Sequence, residues 1–120
     1  MKAREVAAII ESFAPLDSAA AWDNSGFCIG SPEAEVHGVL VGFDCTPALV
    51  KEAIARGADM IVTHHPLIFH GIKKISVDTF LGEVITLAIK NGIVVYSAHT
   101  NADKAAGGVN DLMADRLGLV

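Results

Sequence analysis

Basic residues are scarce in this chain and scattered: nine lysines and arginines stand against fourteen aspartates and glutamates over 120 residues, for a net charge of −5. Binding nucleic acid without sequence preference needs a clustered basic surface that displaces counterions. Here only Lys73 and Lys74 are neighbours, so DNA and RNA are disfavoured as primary ligands. Cysteine is rare too. Cys28 and Cys45 lie far apart with no Cys-x-x-Cys spacing, which argues against a disulfide framework or a structural zinc site and leaves two buried thiols as the expectation. No apolar run reaches the roughly 18 residues of a membrane-spanning helix, so no membrane partner is expected. The charged start Met1-Lys2-Ala3-Arg4-Glu5 lacks the apolar stretch of a signal peptide, and a cytoplasmic location follows as the default. Repeats, low-complexity segments and linkers are absent as well, so residues 1–120 read as one domain.

What the chain has in excess is apolar side chain, at 52% of residues. A chain this short buries only about two-thirds of its surface by itself. The surplus therefore points to a homo-oligomer or to a neighbouring segment that covers it.

Periodicity supplies the elements. Val6, Ile9, Ile10 and Phe13 recur on one helical face, predicting a helix over residues 3–13 that Pro15 ends. Residues 15–35 are rich in Asp, Ser, Asn, Gly and Pro and predict a loop with one short strand near Phe27–Ile29. From there, apolar runs alternate with helical stretches: strands at Val39–Phe43, Met60–Thr63 and Ile93–Ser97, helices at Pro47–Arg56, Phe80–Lys90 and Asn110–Leu117. Thr46 before Pro47, Gly57, Asn91-Gly92 and Gly118 sit where helix caps are expected. The fold class is α/β, with a mainly parallel or mixed sheet and helices on both faces. Val39-Leu40-Val41 and Ile93-Val94-Val95 suit strands covered on both sides.

In open α/β sheets, ligands gather at the carboxyl ends of strands. Three predicted ends carry polar residues: Asp44, Cys45 and Thr46; then Thr63, His64, His65 and Pro66; then His99, Thr100, Asn101 and Asp103. Neutral imidazole is the commonest transition-metal ligand. Adjacent strand residues face opposite ways, so His64 and His65 suit two metals better than one unless the backbone turns. Asp103, on a loop after a neighbouring strand, could bridge two ions. His99 could ligate, orient a ligand or act as general base. The plain alternative is that the His pair shapes a tight turn and Asp103 caps one. His37 and His70 read as surface or packing residues. Gly107-Gly108 reads as a turn before a helix rather than a phosphate loop. Trp22-Asp23-Asn24 suits a pocket wall or a lid over the core equally well.

Four strings taken in order, Trp22-Asp23-Asn24-Ser25-Gly26, Thr63-His64-His65-Pro66-Leu67-Ile68-Phe69, Ser97-Ala98-His99-Thr100-Asn101-Ala102-Asp103 and Gly108-Val109-Asn110-Asp111, resemble the GTP cyclohydrolase 1 type 2 homolog family, also called the NIF-three-like family. The likeness runs from about Ala3 to Leu119. It implies a dinuclear divalent-metal site with His64, His65 and Asp103 at ligand positions and His99 close by. The metal identity is open among Zn, Fe, Mn, Co and Ni. It further implies an α/β fold of two interlinked halves, of which this chain matches the N-terminal one, and a ring-shaped hexamer. The remaining His and Glu ligands are expected from a C-terminal half that has no counterpart before Val120. The family's name implies hydrolytic opening of a nucleotide's purine ring, which makes a metal-dependent hydrolase the leading functional expectation. A non-enzymatic oligomeric metal-binding or regulatory module with an incomplete site is the alternative.

Overall fold

The computed structural model describes residues 1–119. Helix α1 (Ala3–Phe13) opens the chain. Strand β1 (Gly26–Ile29) follows, then β2 (Val39–Gly42), α2 (Pro47–Arg56), β3 (Met60–Thr63), α3 (Phe80–Lys90), β4 (Val94–Ser97), α4 (Thr100–Lys104) and α5 (Val109–Leu117). Helix α2 shows the expected punctuation. Thr46 Oγ1 accepts the Leu49 N–H, Pro47 occupies the first turn, and Gly57 closes the helix at φ +71°, a left-handed position that glycine takes without steric cost.

The sheet runs β1-β4-β3-β2, with β2, β3 and β4 parallel and β1 antiparallel along β4. Side-chain alternation splits it into two faces. On one, Ile61 and Val95 join Val50 and Ala53 of α2 and Val84, Ile85 and Ala88 of α3 in a closed core. On the other, Met60, Val94 and Tyr96 pack against Ala3 and Ala7 of α1. Tyr96 is fully buried, stands edge-on to Phe27 with centroids 5.0 Å apart, and donates its hydroxyl to Glu11 Oε1 at 2.8 Å. Burial, and then the Glu11 carboxylate, push its pKa far above the ordinary tyrosine value. Helices therefore cover both faces, as an α/β chain requires.

Coverage is uneven, which corrects one expectation. Strand β2 is an edge strand, and α1 does not reach across to it: Val39 is exposed and Val41 is 73% exposed. The apolar run Val39-Leu40-Val41 is covered on its Leu40 side only. Cys45 is buried as expected, whereas Cys28 is half-exposed. No described helix is long and apolar enough to cross a membrane.

Candidate metal centre

Sheet register builds the site. Gly42 pairs with Thr63, Thr63 with Ser97, and Ser97 with Gly26, so the three parallel strands end on one line and the antiparallel strand begins on it. The residues just beyond that line are Phe43 and Asp44 after β2, His64 and His65 after β3, and Ala98 and His99 after β4. Asp23, Asn24 and Ser25 lead into β1 from the same edge. Four segments remote in sequence thus deliver their polar groups to one place.

His64 and His65 do not face opposite ways. Strand β3 ends at Thr63, and the chain turns there: Thr63 Oγ1 donates to the His65 carbonyl at 2.8 Å and the His65 N–H donates to the Phe43 carbonyl at 3.1 Å. Strand alternation no longer applies past that point. The two imidazole centroids lie 5.2 Å apart, and His99 stands 5.1 and 5.5 Å from them. One ligand nitrogen from each of the three rings lies within 4.8 Å of the other two.

Every ring in this cluster has its Nδ1 engaged. His64 Nδ1 lies 3.0 Å from the Ala98 carbonyl, His65 Nδ1 is 2.6 Å from Asp44 Oδ1, and His99 Nδ1 is 2.8 Å from Asp23 Oδ1. A carbonyl or an ionised carboxylate can only accept, so Nδ1 carries the proton and the Nε2 lone pair is left for another partner. For His64 that lone pair meets Asp103 Oδ1 at 3.5 Å. Two acceptors at that distance repel unless a proton or a cation lies between them. Asp103 sits in α4 rather than on a loop. This short helix begins beyond His99 and turns the carboxylate back toward His64. Gly108, which caps α5, lets that helix start close against α4, because a Cβ there would strike the Ala102 carbonyl.

Asp23 is the residue that sequence reasoning left as one of a pocket-or-lid trio. Its side chain is fully buried, and it accepts from the Thr100 hydroxyl at 2.5 Å, the Thr100 N–H at 3.0 Å, Ser25 Oγ at 2.8 Å and His99. Burial alone raises a carboxyl pKa. The donors from Thr100, His99 and Ser25 outweigh it and hold Asp23 well below the ordinary range, ionised throughout neutral pH. The sequence signal for it is its place in the string Trp22-Asp23-Asn24-Ser25-Gly26. Asp44 was noted only as a polar strand-end residue, and the structure makes it the partner of His65. His37 and His70 lie apart, both exposed; His37 pairs with Asp59 and His70 stands edge-on to Phe69.

The donor set suits a divalent transition metal. Imidazole nitrogens and a carboxylate oxygen match the ligand preferences of Zn, Fe, Mn, Co and Ni, and three carboxylates, Asp23, Asp44 and Asp103, surround three imidazoles whose neutral forms carry no charge.

Comparison with known proteins places the chain in a family. The model of the Duf34/NIF3 (NGG1p interacting factor 3) family matches residues 1–120. A "GTP cyclohydrolase 1 type 2 homolog" of Clostridium acetobutylicum is 42% identical over 98% of this chain, and one of Clostridium perfringens is 43% identical over 98%. A Bacillus cereus protein related to NIF3 superposes over the whole chain with a TM-score of 0.94 at 44% identity. This chain spans 44% and 45% of the two clostridial proteins and 33% of the Bacillus one. Since both the family model and these relatives match along nearly every residue, the chain belongs to the Duf34/NIF3 family.

Proposed function

We propose that this chain is the N-terminal, metal-holding α/β domain of a metal-dependent hydrolase. The observation that carries the reading is the clustering of His64, His65 and His99: each is held through Nδ1 by an acceptor, one nitrogen of each lies within 4.8 Å of the others, and Asp103 stands beside His64 alone. His64, His65 and Asp103, the last facing His64 across 3.5 Å, would hold the divalent metal. A cation held there supplies Lewis acidity to a substrate carbonyl or a water.

The chain's own residues do the rest. The Ala98 carbonyl and Asp44 fix the tautomers and ring planes of His64 and His65, so that the lone pairs are presented without reorganisation. His99 takes up a proton at Nε2, and Asp23, ionised and buried against its Nδ1, stabilises the imidazolium that forms. The proximity of the His99 nitrogen to the other two favours a second role, direct ligation. His99→Gln separates the two, because loss of turnover with metal retained marks a proton carrier and loss of both marks a ligand.

The relatives' name supports a nucleotide as the substrate class. Exposed Val41, Phe43, Leu112, Met113 and Leu117 support assembly with further protein, consistent with a hexameric ring in the cytoplasm. The decisive experiment is elemental analysis of the purified, dialysed protein with His65→Ala alongside. One or two equivalents of a transition metal per chain, lost in the variant, is the expected result. A metal-free wild type that stays metal-free after incubation with Zn, Mn, Fe, Co and Ni salts overturns the reading.

A further inference from the structure

Aromatic rings flank the histidine cluster, and they are exposed. Trp22, the only tryptophan, is 65% exposed. It stands edge-on to Phe69 at 6.0 Å and to His99 at 6.5 Å, and Phe69 stands edge-on to His99 at 6.4 Å. Leaving an indole in water forfeits the burial that makes tryptophan useful in a core, so the lid-over-the-core explanation fails. An edge-on contact covers at most one face of one ring, and both Trp22 and Phe69 keep exposed surface.

This exposed ring is nonetheless firmly seated. Two residues before it, the Ala20 N–H donates to Thr100 Oγ1 at 2.8 Å, and one residue after it stands the fully buried Asp23. Asn24 Nδ2 donates to the Ile68 carbonyl at 2.6 Å, which ties the Trp22 loop to the loop carrying Phe69. A large apolar surface held rigid in solvent by polar anchors is what a preorganised binding wall requires, since little conformational entropy remains to be lost when a ligand arrives. The anchor is also shared: Asp23 orients His99 and is the next residue to Trp22, so the ring and the cluster are set at a fixed spacing.

We propose that Trp22 and Phe69 form a stacking wall that receives a planar aromatic ring of the substrate and places its reactive atom over the histidine cluster. This deepens the hydrolase reading and rests on it for the chemistry, but binding at the wall and retention of metal are read separately. The recognition is by ring face, so it selects planarity before it selects any hydrogen-bonding pattern.

Because Trp22 is the only tryptophan, its fluorescence reports on the wall directly. The metal-loaded protein is titrated with adenosine, with benzamide and with ribose 5-phosphate. Saturable quenching by adenosine and no response to ribose 5-phosphate is the expected result; benzamide response in addition assigns the wall to any planar ring, and its absence assigns it to fused bicycles. Phe69→Ala weakens adenosine binding by roughly 5- to 100-fold, the range found when one stacking partner is removed, and Phe69→Tyr restores it. Phe69→Leu keeps bulk without an aromatic face and guards against misfolding of the alanine variant. Metal content stays at the wild-type level in all three. Absence of quenching by both aromatic probes while metal is retained overturns the stacking wall and leaves the metal site standing. Equal affinity in Phe69→Leu and wild type overturns it as well. A protein that takes up no metal on loading overturns the hydrolase reading instead, and quenching by adenosine in that protein leaves the stacking wall standing.

Discussion

Two imidazole–aspartate pairs at opposite ends of the sheet have nearly the same geometry and different surroundings. His37 Nδ1 meets Asp59 Oδ2 at 2.7 Å just before β2 begins, and His99 Nδ1 meets Asp23 Oδ1 at 2.8 Å just after β4 ends. His37 is 79% exposed and no second imidazole or aromatic ring packs against it among the described residues. Its aspartate also accepts the His37 and Gly38 N–H groups, so the pair stitches a turn. His99 instead stands among two further histidines, Trp22 and Phe69. Pairing with a carboxylate, then, does not make a site. Convergence of three imidazoles is what marks the candidate site, and among the described residues it occurs only at the end where the parallel strands finish on one line.

The largest effect that tests this contrast is metal retention. His65→Ala and Asp103→Ala are expected to abolish it, whereas His37→Ala retains the wild-type equivalents, as read by elemental analysis; metal loss in the His37 variant breaks the contrast. Next comes the thermal response to a chelator. A ligand bound only by the folded state stabilises by about 2.7 kcal/mol at a hundredfold excess over Kd, so chelation lowers the Tm of the wild type and of His37→Ala and leaves that of His65→Ala unchanged.

Asp23→Asn sharpens the contrast further. Removing the carboxylate that orients a candidate ligand typically costs 10- to 100-fold in metal affinity, and the same change leaves donors of Thr100 and Ser25 poorly matched, for roughly 2 kcal/mol of stability. Asp59→Asn is expected to leave affinity unchanged. Acid separates the two aspartates as well. Hydrogen-bond donors overcome burial and depress both carboxyls below their ordinary value of 3.8. Each therefore contributes stability that is complete above that value and is lost as pH falls through the depressed one. Melting curves taken from pH 4 down to pH 2 should fall more steeply for the wild type than for Asp23→Asn, with Asp59→Asn between them. The smallest effect is His37→Ala on stability, within about 1 kcal/mol, as for other exposed pairs.

Much of this was legible before any coordinates. The periodic segments gave α1, α2, α3 and their caps, and the rule that ligands gather at strand ends led to His64, His65, His99 and Asp103. What was not legible has physical causes. Helix α4 is five residues long, too short for an apolar period to show. Val39-Leu40-Val41 has the composition of a covered strand, but coverage depends on how far α1 extends across the sheet, which no local pattern encodes. The facing of His64 and His65 depended on whether the backbone turns after Thr63, and it does: the ladder ends there. Asp23 and Asp44 acquire their roles by pairing with rings 76 and 21 residues away, and tertiary partners at such separations leave no periodic trace. The order β1-β4-β3-β2 is what carries Asp23 to His99.

The hydrogen bond from His64 Nδ1 to the Ala98 carbonyl joins an imidazole at the end of one strand to the backbone of the next, beside the 2.9 Å bond from the Ala98 N–H to the Thr63 carbonyl. A slip of β4 by one residue along β3 reverses the facing of every side chain on it, withdrawing Ala98 from His64 and His99 from the cluster together. Only the correctly aligned pairing presents the lone pairs as a set. A cation bound by that set would therefore favour the correct alignment over its slipped neighbours.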